Sequence, residues 1–255
     1  MSTIAAGNPS LLRKGSVMSY LQEFFRSIDL LPFKKARAAE PRELQLRHEL
    51  VRFGKMLHTQ GFVSACDGNL SVRLDEQRVM VTPTGMSKCM MEPEGMVIVD
   101  TSGKKLNGAC NPTSEIAMHL TIYKTRPDVG AIVHAHPCTA TAFASAGMAL
   151  DEPLCSEIVI TLGSVPLAPY ATPGTNELSE SLQPFIPSYD AILMANHGVV
   201  TYAADLLHAY MKMEAVEHYA KIVLATRQLG CRKILAENDL GKLLHAREKY
   251  MKNSN

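Results

Sequence analysis

Gly130-Ala131-Ile132-Val133-His134-Ala135-His136-Pro137 is the stretch on which the reading of this chain turns. Ala131 to Val133 is apolar and rich in β-branched side chains, which predicts a buried strand. Side chains alternate between the faces of a strand, so His134 and His136 point the same way. Two imidazoles on one face at a strand end can grip one metal ion, and Pro137 then ends the ladder. Taken alone, the pair fits two histidines hydrogen-bonded to backbone or solvent equally well. The rest of the sequence must decide.

A second apolar run, Asp190-Ala191-Ile192-Leu193-Met194-Ala195, has the same character and leads into Asn196-His197-Gly198. A histidine just past a strand, followed by a glycine that lets the backbone turn, is suited to a site. Three histidines match a zinc that keeps one coordination position open. Imidazole also serves other divalent cations, so the pattern points to a metal more firmly than to zinc.

Working outward, composition narrows the function classes. The 255 residues carry a net charge of +1 with no strong basic cluster, which does not suggest nucleic-acid binding. No apolar run reaches the roughly 20 residues of a membrane span, and no signal-peptide core opens the chain. Cys66, Cys89, Cys110, Cys138, Cys155 and Cys231 form no C-x-x-C pair, so a disulfide framework is not indicated. Free thiols fit a cytoplasmic protein. The cysteines read as small apolar filler. Cys138, two residues after His136, is the only one placed to be a ligand instead.

Residues 1–40 are poorly patterned and read as an extension, with a short helix near Tyr20–Phe25. Lys34, Lys35, Arg37 and Arg42 read there as a solvated basic face. Residues 41–255 form the expected domain. A helix should start at Pro41 and stop at Gly61, with Leu44, Leu46, Leu50, Val51, Phe53, Met56 and Leu57 as its apolar stripe. Gly68-Asn69 precedes a strand over residues 70–74. Its plain reading is a turn; its functional reading is an anion contact from loop amides and the Asn69 side chain. A strand over 79–82 runs into Pro83-Thr84-Gly85-Met86-Ser87, a small-residue loop that can hold a phosphate. Another strand covers 96–99.

Asn111-Pro112-Thr113-Ser114-Glu115 opens a helix running to about Lys124, with Thr113 or Ser114 as N-cap. Its free amides and dipole favour an anion, so Thr113 and Ser114 are candidate phosphate contacts. Glu115 reads by itself as a surface carboxylate favoured by the dipole. His119, one turn on, reads as a packed helix residue, with a metal ligand as the alternative. Residues 139–147 should be helical, and Ile158-Val159-Ile160 a strand opened by Glu157. That carboxylate is either a solvated strand end or a second group near the site. Residues 165–168 read as a strand, a helix follows from Asn176, and one long helix spans 203–229. The last segment, 239–252, is amphipathic and either docks on a neighbour or stays exposed.

Six motifs in this order resemble the class II aldolase/adducin family: Gly68-Asn69-Leu70-Ser71-Val72-Arg73; Thr82-Pro83-Thr84-Gly85; Pro112-Thr113-Ser114-Glu115 with His119; His134-Ala135-His136-Pro137; Pro169-Tyr170-Ala171-Thr172-Pro173-Gly174-Thr175; and Asn196-His197-Gly198. The match covers about residues 45–228. The resemblance implies an α/β fold with three α/β/α layers and a mostly antiparallel central sheet. It implies a homotetramer with active sites between subunits, and zinc on His134, His136 and His197. Glu115 would be the fourth metal ligand at rest and then the catalytic base. Gly68, Asn69, Thr84, Gly85, Thr113 and Ser114 match the positions that cradle a sugar phosphate. The implied reaction is cleavage of a ketose phosphate to dihydroxyacetone phosphate and an aldehyde through an enediolate.

One departure bears on that reaction. Aldolases of this kind carry a tyrosine that protonates the aldehyde oxygen, just before the segment that here starts at Glu157. The chain has Pro153-Leu154-Cys155-Ser156-Glu157 there. Glu157 is therefore the candidate distal acid/base. A decarboxylase, dehydratase or epimerase with the same enediolate chemistry remains the alternative. A non-catalytic adducin-like interaction module would have no need of the intact His134, His136, His197 and Glu115 set.

Overall fold

The computed structural model describes residues 41–253; the expected helix near Tyr20–Phe25 lies outside them. The order is α1 (Arg42–Thr59), β1 (Asn69–Arg73), β2 (Arg78–Val81), β3 (Val97–Asp100), β4 (Lys105–Asn107), α2 (Ile116–Thr125), β5 (Ala131–Ala135), α3 (Cys138–Ser145), α4 (Ser156–Thr161), β6 (Leu167–Ala168), α5 (Asn176–Leu182), β7 (Ala191–Met194), β8 (Gly198–Ala203), α6 (Leu206–Gln228) and α7 (Glu237–Asn253).

The strands form an eight-stranded sheet in the order β4-β3-β2-β1-β5-β8-β7-β6. Every pairing is antiparallel except β6 with β7. Alternation along the strands sorts the core into two layers. Ala131, Val133 and Ala135 of β5 pack on one face with Leu50, Phe53 and Leu57 of α1, Phe143 of α3 and Tyr210, Met213 and Val216 of α6. Ile132 of the same strand packs on the other face with Met118 and Ile122 of α2 and Leu178 and Leu182 of α5. Helices thus cover both faces, giving the three layers that the family resemblance implied. Both faces of β5 are dry, and each fully buried Ile or Val contributes about 1.5–3 kcal/mol.

Three expectations need correction. The residues after His197 do not wait for a helix: Gly198–Ala203 is strand β8, and the helix starts only at Leu206, where Asp205 accepts from the His208 amide as N-cap. The run Val199-Val200-Thr201-Tyr202 is the β-branched and aromatic signal that marks the strand.

Ile158-Val159-Ile160 is not a strand opened by Glu157 but the middle of helix α4, with Glu157 in its first turn. All three apolar residues are buried because the helix is covered from more than one side. Ile158 joins the core, while α7 docks alongside and Arg247 donates to the carbonyls of Val159 and Ile160. Local β-propensity loses there to tertiary packing. The docked α7 also resolves the C-terminal segment.

The third correction is the cap of α2. Neither Thr113 nor Ser114 holds that position; Glu115 does, with Thr113 Oγ1 accepting from the Glu115 amide at 3.3 Å.

Candidate metal centre

The centre of the sheet, where β1, β5 and β8 lie side by side, gathers the side chains of interest. His134 lies in β5 and His136 just past its end, as the alternation required. His197 sits in the turn between β7 and β8. The turn is tight because Asn196 adopts φ 54°, a left-handed conformation that asparagine tolerates. Gly198 lets the chain pass against β5: a Cβ there would stand 2.4 Å from the His136 ring and 2.7 Å from the Ala135 carbonyl. Gly68 is equally constrained, with φ 70° and a would-be Cβ 2.7 Å from the His134 carbonyl. These two glycines allow the loops to close on the histidines.

The three rings form a near-equilateral triangle, with centroids 4.8, 4.8 and 5.1 Å apart. Their ligand nitrogens all lie within 4.8 Å of one another, so the group could hold a metal ion. His134 is fully buried and donates from Nδ1 to the Val199 carbonyl at 2.9 Å. A carbonyl only accepts, so Nδ1 carries a proton and Nε2 is the nitrogen turned inward, a ligand whenever it is unprotonated. That Nε2 lies 3.1 Å from His136 Nε2 and 3.2 Å from Glu115 Oε2. Glu115 Oε1 lies 3.2 Å from His197 Nε2, off the line of a hydrogen bond, and is buried without a hydrogen-bond partner among the described residues. Glu115 thus reaches two of the three histidines.

Lone pairs that converge at these separations repel unless a proton or a cation lies between them. A tetrahedral metal with bonds of about 2.0–2.1 Å has ligand–ligand edges of about 3.3 Å. The His134–His136 separation of 3.1 Å is close to such an edge, and the three histidine nitrogens as a group lie within 4.8 Å of one another.

Electrostatics agree. Burial would raise the Glu115 carboxyl, but His134, His197 and the Asn69 amide hold it well below the usual carboxylate range. Burial pushes His134 down, yet the adjacent Glu115 carboxylate brings it above its ordinary value. Burial, with His134 and His197 alongside, holds His136 down to about 3, so its lone pair is free.

The loops read as anion contacts come together beside this centre. Asn69 opposes His134 across the β1–β5 ladder. Thr82 of the next segment pairs with Leu70, and Pro83 bridges to Pro112, with the Thr84 amide donating to the Asn111 carbonyl. Gly68-Asn69, Thr84-Gly85 and Thr113-Ser114 therefore border one region. Gly85 has φ 69° and open space where a side chain would be, and Ser114 is exposed. Asn69 is buried and donates from Nδ2 to Glu115 Oε2 at 2.7 Å, so the carboxylate is one of its partners.

Glu157 does not join them. It is exposed, and its carboxylate makes no hydrogen bond or ion pair among the described residues. His119 is fully buried, as a packed helix residue should be, and its two ring nitrogens contact Ser71 and Asn69 rather than the other histidines. Cys138 is exposed and stands outside the histidine group.

Sequence reasoning missed two supports. Lys88 is 1% exposed, and its ammonium donates to the Met86 carbonyl at 2.7 Å and the Cys66 carbonyl at 3.3 Å. It ties the loop before Gly68 to the loop after Gly85. Burial pushes it below the ordinary lysine range. Glu217 of α6 accepts from the Thr139 and Ala140 amides at 3.0 and 2.9 Å. It supplies the cap that Pro137, the N-cap residue of α3, cannot give, and so steadies the segment just after His136. No local pattern announces a cap offered from 77 or 78 residues away.

The family model described as Class II Aldolase and Adducin N-terminal domain matches residues 48–224. The chain belongs to the class II aldolase/adducin family. Among its relatives, a 5-deoxy-D-ribulose 1-phosphate aldolase of Bacillus thuringiensis serovar kurstaki is 34% identical over 206 residues, 80% of this chain and 96% of that protein. A 3-oxo-tetronate 4-phosphate decarboxylase of Pectobacterium atrosepticum is 35% identical over 208 residues, 79% and 93% of the two chains. The solved structure of an L-fuculose 1-phosphate aldolase superposes with a TM-score of 0.75 at 31% identity, covering 84% of this chain and 98% of that one. The class II aldolase/adducin member described here is accordingly an enzyme of the carbon–carbon lyase type. No helix among its described residues is long and apolar enough to cross a membrane.

Proposed function

We propose that this chain is a zinc-dependent aldolase that cleaves a ketose phosphate to dihydroxyacetone phosphate and an aldehyde. The observation that carries the reading is the Glu115 carboxylate, buried and 3.2 Å from both His134 Nε2 and His197 Nε2. His134, His136 and His197 would hold the metal, with Glu115 as a fourth ligand at rest. When bound, the cation supplies Lewis acidity, which polarises the ketose carbonyl and favours negative charge on its oxygens.

Everything else falls to the chain's own groups. Glu115 is a weak base while the histidines surround it. A substrate that displaces it from His134 and His197 removes those contacts and restores its basicity. It is then placed to exchange the proton at the hydroxymethyl carbon of dihydroxyacetone phosphate, the carbon freed by the departing aldehyde, on the far side of the ketone from the phosphate arm. Gly68, Asn69, Thr84, Gly85, Thr113 and Ser114 border the region where a phosphate would be held by amides and hydroxyls. Glu157 serves as distal proton donor only if a second copy of the chain brings it to the site. That requirement accords with a homotetramer whose sites lie between subunits. Six cysteines, all free, fit a cytoplasmic setting.

A second reading has its own support. The relative named as a 3-oxo-tetronate 4-phosphate decarboxylase matches the chain as well as the aldolases do, and no tyrosine precedes Glu157 in residues 153–156. Loss of carbon dioxide from a 3-oxo acid phosphate leaves the same kind of enediolate for Glu115 to protonate.

The test is dihydroxyacetone phosphate release from a panel of ketose 1-phosphates by zinc-loaded protein. Release that a chelator abolishes supports the aldolase. Carbon dioxide release from a 3-oxo acid phosphate, with no cleavage of any ketose, would replace it with the decarboxylase.

A further inference from the structure

Behind Glu115 a line of buried polar groups runs across two elements. Glu115, His119 and Tyr123 stand four residues apart, on one face of α2 and its cap. Asn69 and Ser71 stand two apart, on one face of β1. The two rows interlock. Asn69 Nδ2 lies 2.7 Å from Glu115 Oε2, Asn69 Oδ1 lies 2.5 Å from His119 Nε2, and Ser71 Oγ lies 2.7 Å from His119 Nδ1 and 2.9 Å from Tyr123 Oη.

The chemistry of each partner fixes the direction of every bond. A carboxylate only accepts, so the amide must present its NH₂ to Glu115. Its oxygen then faces His119, and an amide oxygen only accepts, so Nε2 carries the proton. Burial holds His119 down to about 3, so the ring has one proton, and Nδ1 is an acceptor. Ser71 must donate to it, and Tyr123 must donate to Ser71. All four bonds run one way, from Tyr123 to Glu115.

We infer that His119 is a positioning residue: with its proton on Nε2, it locks the Asn69 amide so that the NH₂ faces Glu115, and Ser71 and Tyr123 lock His119 in that tautomer. Without this support the amide is free to turn its oxygen towards the carboxylate, and repulsion would displace Glu115 from its place beside His134 and His197. The inference rests on the proposed role of Glu115 as base, but the hydrogen-bond direction can be read without turnover.

Nitrogen-15 NMR of histidine-labelled, metal-loaded full-length protein provides that reading. The expected result is a His119 ring protonated only on Nε2 at every point from about pH 5 to 9. A proton on Nδ1 overturns the inference whatever the enzyme catalyses. Variants supply the functional arm. In His119→Phe, kcat should fall by about 10- to 100-fold with KM changed less than about 2-fold and metal content unchanged. His119→Gln keeps an N–H donor near the Nε2 position and should recover most of that loss. A purely structural histidine predicts the reverse order, because Phe fills the space better than Gln. Equal kcat in all three proteins, or Phe outperforming Gln, overturns the positioning role. Ser71→Ala should move the His119 proton partly to Nδ1 and lower kcat; an unchanged tautomer and kcat count against the inference even if His119→Phe fails to fold. A wild-type protein without lyase turnover would sink the proposed function while leaving the NMR result to judge this one.

Discussion

Glu115 at the start of α2 and Glu157 at the start of α4 are the same residue in nearly the same local position, yet the fold treats them in opposite ways. Glu115 is 7% exposed, faces His134 and His197, and accepts from Asn69. Glu157 is exposed, and its carboxylate has no hydrogen bond or ion pair among the described residues. A helix start favours any carboxylate by a few tenths to about 1 kcal/mol. What separates the two is the strand layer beneath: α2 rests on β1 and β5 where they carry polar side chains, and α4 rests on apolar core and on α7. Position in a helix makes a carboxylate comfortable; converging partners give it chemistry to do.

The sharpest way to break that contrast is Glu115→Gln. Turnover on an identified substrate should fall by about 10²–10⁴-fold, as for a lost general base, with the fold intact by circular dichroism. A rate within a factor of two of wild type would remove Glu115 from the mechanism. Glu217 sharpens the comparison from another side, being buried and partnered but occupied with the Thr139 and Ala140 amides. Glu217→Ala should cost about 1–3 kcal/mol in urea unfolding, since those amides lose their acceptor. A change below about 0.5 kcal/mol would mean that water replaces it.

Asp190 is a fourth setting, held by Lys212 and Arg126 at 2.8 and 3.0 Å. Burial raises its carboxyl, but Lys212 and Arg126 more than offset this and leave it below the usual range. A lowered folded pKa adds stability that is fully present above the unfolded value of about 3.9 and is lost as pH falls through the folded value. Acid unfolding followed from about pH 6 to 2 should show a steeper loss below about pH 4 in wild type than in Asp190→Asn. Parallel curves would show that the ion pairs add nothing. The smallest effect belongs to Glu157→Gln, which should change folding stability by less than about 0.5 kcal/mol. If it also leaves turnover of the assembled enzyme unchanged, Glu157 is a solvated carboxylate and no more.

Much of this was legible in the sequence. The placement of His134 and His136 follows from the period of a strand, and Gly198 and Gly68 read as turn positions, to which the structure adds close approaches to His136 and His134 that a side chain would block. The loops at 68–69, 83–85 and 111–114 were readable as amide-rich, and their meeting through the Pro83–Pro112 bridge accords with that reading. Two things were hidden by local signal. Strand β8 went unassigned between His197 and a helix read from residue 203, although Asp205 marks that helix's true start. The β-branched run of α4 was taken at face value because only α7, distant in sequence, makes a helix with three successive buried residues sensible. The support from Glu217 and the tie from Lys88 carry no local pattern. The Asn69/Ser71 and His119/Tyr123 spacings, by contrast, stood in the sequence and needed only to be set against each other.

The pairing of β5 with β8 has a last consequence, for folding. His134 and the Val199 carbonyl that orients it are 65 residues apart in the chain, and His197 arrives on the same hairpin. Closing so long a loop costs entropy before any contact repays it. The histidine triangle therefore cannot exist in a half-folded chain, and a metal ion finds its full ligand set only after the sheet has closed. Metal uptake would act as a late ratchet on assembly, drawing the equilibrium towards the finished molecule in proportion to the free ion concentration.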